Sequence, residues 1–253
     1  HIREVDAILH VVRCFAEDKI VHVEGSIDPT RDVEIINLEL ILADLETMEK
    51  RIEKTRNLAK SGDKKILAEL DLYTRIQKGL AEGLPARALS FDEDEEELVK
   101  QLFLLTQKPV IYAANISEQD LVAGVKNNPW VAILQNLAAK EGAEVLVICA
   151  AIEEEIAQLD KDDKQAFLAD LGLRESGLDR LIKAGYKLLG LISFLTAGPK
   201  EVRAWTITEG TKARQAAGKI HSDFERGFIR AEIVAFEDLM RCGSYAAAKE
   251  KGL

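Results

Sequence analysis

The residues best suited to chemistry in this chain are Asn115, Ile116, Ser117 and Glu118, which directly follow the apolar run Pro109-Val110-Ile111-Tyr112-Ala113-Ala114. A short, continuous apolar run of this kind reads as a strand buried on both faces. The tetrapeptide then falls at a strand's carboxyl end, where open α/β sheets bind ligands. An Asn amide both donates and accepts, and at that place it can pair with a purine N7 and exocyclic amine. Guanine-specific loops carry Asn-Lys-x-Asp there, the Asp accepting from guanine's two neighbouring N–H groups. Here Ile116 replaces the Lys and the longer Glu118 replaces the Asp. Adenine has a bare N1 and no 2-amino group, so a displaced carboxylate suits it better than guanine. A second strand end follows Val145-Leu146-Val147-Ile148 at Cys149-Ala150-Ala151, where small side chains let backbone N–H groups approach a ligand closely.

Other reactive patterns are missing from the sequence. His1, His10, His22 and His221 share no metal-ligand spacing with one another or with Cys14, Cys149 and Cys242. There is no Gly-x-Ser-x-Gly, no HExxH and no Cys/His nucleophile pair, so covalent catalysis and zinc chemistry are unsupported. Nor is there a Gly-x-x-x-x-Gly-Lys-Ser/Thr loop, whose backbone and Lys hold phosphates and whose hydroxyl holds Mg²⁺. Three widely spaced cysteines without a CxxC pair read as reduced thiols in a reducing, cytoplasmic setting. The acidic run from Asp92 to Glu97 reads as a helix start rather than a metal site. No apolar stretch approaches the ~20 residues of a membrane helix. The net charge is −10. From Lys200 onward ten Lys or Arg face eight Asp or Glu, an excess of +2, which leaves −12 for the rest. That contrast fits either an anionic partner such as RNA or an ordinary mixed surface.

The elements that must position these residues follow from periodicity. Ala7 to Phe15 reads as a central strand and Gly25 to Asp32 as a loop. Leu38, Ile41, Leu45, Met48, Ile52, Thr55 and Ala59 form a heptad seam. A break at Ser61 to Lys64 is followed by a second stripe through Ile66, Leu70, Tyr73, Ile76 and Leu80. Together these predict an antiparallel helical hairpin inserted into an α/β pattern, either a docking arm or a stabilising appendage. Helices are expected from the acidic run through Leu98, Leu102 and Leu105, from Val131 to Lys140, and over most of Ile152 to Leu195. Beyond Leu191 the period becomes two, with Val202, Ala204 and Thr206 alternating against Arg203, Trp205 and Ile207. A helix over Thr211 to Ile220 and a strand from Gly227 to Val234 complete a hairpin–helix–strand order. Trp205 and Phe228 belong either to the core of this module or, with Phe224, to a stacking surface among basic residues.

The stretches Gly25-Ser26-Ile27-Asp28-Pro29, Tyr112-Ala113-Ala114-Asn115 and Cys149-Ala150-Ala151-Ile152-Glu153 carry a family resemblance. So do Phe194 to Trp205 and His221 to Arg230. The chain resembles the Obg-like ATPases of the YchF family over essentially its whole length. The resemblance implies an α/β fold: a partial P-loop NTPase-like parallel sheet, an inserted antiparallel α-helical hairpin, and a C-terminal ubiquitin-like β-grasp (TGS) module. The implied domains are 1–32 with 86–190 for nucleotide binding, 33–85 for the hairpin and 191–253 for the TGS-like module. It also implies Mg²⁺-dependent ATP hydrolysis, ATP being preferred over GTP, by a cytoplasmic monomer acting with the ribosome or RNA. The phosphate loop, the Mg²⁺ ligands and the final strands are expected outside this chain, which is read as a fragment. Asn115 is expected to grip the adenine edge, Ile116 to pack along the base, Glu118 to exclude guanine, and the Ala150 and Ala151 backbone to line the pocket. The alternatives are a non-enzymatic RNA- or ribosome-binding module, with Arg203, Lys212, Arg214, Lys219, Arg226 and Arg230 lining a cleft, or a coiled-coil adaptor.

Overall fold

The computed structural model describes residues 2–17, 25–198 and 201–253. His1, His22 and Lys200 lie outside the described residues. The chain divides into two compact units, His1–Leu189 and Gly190–Leu253.

The first unit is built on three parallel strands, β1 (Ile8–Arg13), β2 (Val110–Asn115) and β3 (Glu144–Ile148), in the order β1-β2-β3. Ile8 pairs with Val110 and Arg13 with Asn115, while Asn115 also pairs with Ile148. The three carboxyl ends are therefore level. β2 is central and buried at every position but its last. Its alternation sends Val110, Tyr112, Ala114 and then Ile116 into a core with Val12, Val131, Leu134 and Ile152. Ile111 points to the opposite face, where Leu146 and Ala184 meet it. A central strand covered on both faces needs the unbroken apolar run that β2 has, whereas on β1 Leu9 and Val11 stay exposed.

Between β1 and β2 the chain builds α1 (Pro29–Ala59) and α2 (Lys64–Ala81). Asp28 caps α1 by accepting from Thr30 and Arg31 N–H at 3.0 and 3.2 Å, and Pro29 opens it with its preset φ. The two helices share Ile41, Met48, Ile52, Leu72, Tyr73, Ile76 and Leu80. Leu38, expected in the same seam, is instead 54% exposed. The seam starts at Ile41 because the earlier turns of α1 lie against β1 and α5 (Pro129–Glu141) rather than α2. The buried carboxylate of Asp44 ties α1 to the approach to β2, accepting from Leu105 N–H at 2.9 Å, Thr106 N–H at 2.7 Å and Thr106 Oγ1–H at 2.8 Å. Thr106 Oγ1 in turn accepts from Ala86 N–H, just past α2, at 2.9 Å. Both roots of the helix pair thus meet at one threonine.

The acidic run forms a capping box in which Asp92 and Glu95 satisfy each other's backbone N–H, opening α3 (Glu93–Lys100). The helix stops there rather than continuing to Leu102 and Leu105. Phe103 has φ of 51°, a left-handed conformation that cannot continue an α-helix. After β2 come α4 (Glu118–Ala123) and α5, and after β3 come α6 (Ala150–Gln158), α7 (Lys161–Asp170) and α8 (Gly177–Leu188). Glu153 of α6 caps α8 through Gly177 and Leu178 N–H at 2.6 and 3.1 Å.

In the second unit β4 (Leu191–Ala197) and β5 (Val202–Thr208) pair antiparallel from Leu191↔Thr208 to Ala197↔Val202. Then follow α9 (Ala213–Ile220), α10 (Ser222–Arg226), α11 (Phe236–Cys242) and α12 (Tyr245–Glu250). The strand expected over Gly227 to Val234 is not formed. That segment has β-branched residues but pairs with no other described strand, and Ile229 and Ile233 are 91% and 89% exposed.

Candidate functional site

A cavity of about 590 Å³ opens at the carboxyl ends of the three strands. Asn115, Ile116 and Glu118 line it from the end of β2, Cys149, Ala150 and Ala151 from the end of β3, and Phe15 from beyond β1. All five residues expected to contact a base are therefore gathered in one place.

Asn115 closes β2, and its side-chain Oδ1 accepts the Ala150 N–H at 3.0 Å. A backbone N–H only donates, so the amide orientation is fixed and both Nδ2 hydrogens remain to donate. The oxygen keeps a second lone pair. One donor beside one acceptor is the pairing that the N7 and 6-amino edge of adenine requires, whereas guanine presents acceptors at both positions. Ile116 donates its N–H to Ile148 O at 2.9 Å. Strand parity puts its side chain with Tyr112 and Ala114, 2% exposed, so it forms the pocket wall from the core side. Ser117 caps α4 by accepting from Asp120 N–H at 3.1 Å, and Glu118, the first residue of that helix, is exposed.

Cys149 stands at the N-cap of α6 without a side-chain cap. Asn115 takes the Ala150 N–H, and the next first-turn N–H groups of the helix, those of Ala151 and Ile152, face the Cys149 thiol. Burial pushes the Cys149 thiol up from its ordinary value, the Ile152 and Ala151 N–H groups pulling the other way, which disfavours the thiolate. Burial also raises Cys14, to about 12. Both are free thiols in the core.

Phe15 is a site residue that motif reading left unassigned. Cys14 N–H donates to Asn115 O at 2.8 Å, Asn128 Nδ2 donates to Cys14 O at 2.8 Å, and Arg13 Nε donates to Phe15 O at 3.1 Å. Those bonds fix the backbone on either side of a half-buried aromatic ring at the pocket. The available signal was its position, directly after β1 as Asn115 ends β2. Asn128 itself is 4% exposed and caps α5 through Val131 N–H at 3.0 Å.

The six basic residues expected to line a cleft all lie in the second unit and are exposed. Arg203 lies over the Trp205 ring at 4.3 Å, and Arg214 Nε donates to Glu225 O at 3.1 Å. Among the described residues none of Arg203, Lys212, Arg214, Lys219, Arg226 and Arg230 has a carboxylate within ion-pair distance. Trp205 is half-buried, covered by Arg203 and held by its Nε1–H to Thr196 Oγ1 at 2.9 Å. Its ring face is therefore occupied from within the unit. Among the described residues no group of three or more His, Cys, Asp or Glu could hold a metal ion. No helix among them is long and apolar enough to cross a membrane.

A parallel sheet flanked by helices, with a cavity at the carboxyl ends of its strands, defines an α/β protein of the open-sheet type. Residues 191–253 match the family model YchF-GTPase_C, described as a protein of unknown function. The chain is 56% identical over 252 residues to the ribosome-binding ATPase YchF of Bacillus subtilis, all of this chain aligning with 69% of that protein. It is 48% identical to the protein of the same name from Escherichia coli O157:H7, covering 68% of it. The solved structure of the Schizosaccharomyces pombe YchF GTPase matches with a TM-score of 0.85 at 35% identity, over 99% of this chain and 68% of that one. The chain belongs to the YchF family.

Proposed function

We propose that this chain carries the base-recognition part of an ATP-hydrolysing switch protein that works with the ribosome and prefers ATP to GTP. The observation that supports this reading best is the Asn115 amide, oriented by Ala150 N–H at 3.0 Å and facing a cavity of about 590 Å³. In this reading adenine lies beside Phe15 and along the chain at Ile116, its N7 and amine paired with Asn115, with the Ala150 and Ala151 backbone lining the pocket. Glu118, exposed at the start of α4, carries its carboxylate away from the place where an Asp would accept from guanine's N1–H and 2-amino groups, and so leaves guanine without that partner. Hydrolysis and the ribosome are taken from what the similar proteins are called. Mg²⁺ would accompany the phosphates. The described residues gather no group of three or more His, Cys, Asp or Glu for it. The site residues bind and orient the base and make or break no bond.

In the same reading residues 1–32 and 86–190 are the nucleotide-binding domain, 33–85 an antiparallel helical arm and 191–253 a TGS-type β-grasp module. The shared α1–α2 core and the β4–β5 pair followed by α9 support these assignments. Arg203, Lys212, Arg214, Lys219, Arg226 and Arg230, exposed and without a carboxylate within ion-pair distance among the described residues, suit a surface facing RNA. The buried, unpaired thiols fit a cytoplasmic protein, and the α1–α2 seam, consumed within one chain, fits a monomer.

Calorimetric titration with ATP and GTP tests the base assignment. ATP is expected to bind more tightly, Asn115→Ala to weaken ATP by about tenfold or more, as loss of a bidentate base contact of ~1–3 kcal/mol predicts, and Glu118→Gln to narrow the preference. Equal affinity of the unmodified chain for both nucleotides would sink the adenine assignment.

A further inference from the structure

The tip of the α1–α2 pair is charged in a way that neither the pocket nor the helix pair explains. Between Lys54 and Leu67 five cations, Lys54, Arg56, Lys60, Lys64 and Lys65, stand against a single carboxylate, Asp63, in a chain whose net charge is −10. All five are exposed. Among the described residues none of the five has a carboxylate within ion-pair distance. Asp63 is committed elsewhere, accepting from Lys65 N–H at 2.8 Å to cap α2. Below the tip the sign changes, with Glu46, Glu49 and Glu53 on α1 and Glu69 and Asp71 on α2. Lower down, ion pairs do form, as between Lys50 and Glu46 at 2.6 Å.

The placement also works against helix stability. α2 begins on Lys64 and Lys65 and has no acidic residue in its first turn. Positive charge there opposes the positive end of the helix dipole. Two other helices follow the favourable rule closely, Glu93, Asp94, Glu95 and Glu96 opening α3 and Asp162 and Asp163 opening α7. The Asp63 cap offsets part of that cost, and α9 likewise opens on Lys212 and Arg214 without an acidic residue, so what distinguishes the tip is the number of exposed cations gathered at one turn. Reach supports the same view. The last bond anchoring α1 to the sheet domain is at Asp44, and the helix runs to Ala59, ~22 Å further at 1.5 Å per residue. Leu58 and Leu67 flank the cations, 53% and 46% exposed.

We propose that this tip is a phosphate-contacting point that docks the arm on the backbone of structured RNA. Five exposed cations without a carboxylate partner at one helical turnaround present a dense positive charge suited to a polyanion, and a contact made by long, flexible side chains to phosphates positions the protein without reading sequence. Four flexible lysines beside one arginine act as point charges. The proposal rests on the reading of a ribosome partner but not on the adenine pocket.

The test uses the full chain, with Lys60→Gln/Lys64→Gln/Lys65→Gln as the tip variant and Lys50→Gln, on the same helix pair, as the control. Binding of fluorescently labelled ribosomal RNA is measured across a salt series, with melting temperature and ATP affinity recorded for each protein. The tip variant should bind RNA about tenfold or more weakly. Its slope of log affinity on log salt should be shallower by about 2–3, as loss of three phosphate contacts requires. Its melting temperature should stay level or rise, and its ATP affinity should be unchanged. Equal RNA affinity and equal slope in tip variant and parent overturn the proposal while leaving a ribosome partner intact. A parent that binds intact ribosomal subunits but not the RNA also overturns it, in favour of a protein contact. ATP selectivity lost in the parent would instead tell against the adenine reading alone.

Discussion

At the scale of single residues, the site depends on a few bonds between segments far apart in sequence. Asn115 was legible because residue type and strand end coincide within four positions. The Asp44 clamp was not, since its partners Leu105 and Thr106 lie 61 and 62 residues away and no local pattern signals them. Removing that carboxylate leaves three buried donors unmatched. Asp44→Ala should therefore cost about 3 kcal/mol or more in denaturant unfolding, with Asp44→Asn only partly restoring it because an amide brings a donor toward donors. His10 supplies a pH test. Burial against Tyr112 lowers its pKa from 6.5, with Glu141 and Asp32 raising it and Arg87 lowering it further. A depressed folded-state pKa means that the unfolded chain binds the proton first. Stability held above pH 6.5 should fall as pH drops below that value, and His10→Gln should flatten the melting-temperature profile between pH 6.5 and 5. An unchanged profile would rule out His10 as the titrating group.

At the scale of elements, apolar period carried most of the fold. β2 announces itself as an unbroken run, and the seam from Ile41 to Thr55 marks the long helix. Length and pairing partner were harder to read. Gly227 to Val234 has strand-like residues without a neighbouring strand, and α3 ends early because Phe103 adopts a left-handed turn that its residue type does not forecast. The helix pair is held by its buried stripe, so Met48→Ala or Ile76→Ala, each at 0% exposure, should cost about 2–5 kcal/mol by chemical denaturation. Gly177 has a narrower requirement. A Cβ there would sit 2.7 Å from Glu153 Oε1 and 3.1 Å from Ile148 Cγ2. Gly177→Ala should therefore displace the carboxylate that caps α8 and destabilise by about 1–2 kcal/mol. A melting temperature equal to the parent's would show that Glu153 gives way freely.

At the scale of the whole molecule, the division at Leu189 and Gly190 predicts two calorimetric transitions rather than one. The second unit exposes Ile229, Ile233, Phe236 and Met240, each more than half accessible. It should bind a hydrophobic dye, and Ile229→Ser/Ile233→Ser should reduce that signal. A single cooperative transition would contradict the division. The position of the helix pair has one more consequence, for the order of assembly. β1 must find β2 across about 100 residues, from Ile8 to Val110, and such distant pairing is slow because the loop loses freedom before the strands gain contact. The helix pair forms from near neighbours and returns the chain to Thr106 close to where it left. Folded first, it removes about half of that loop, worth about 0.6 kcal/mol of closure entropy per halving. An arm that reaches outward in the finished protein thus serves earlier as a clasp that brings the two strands of the binding site together.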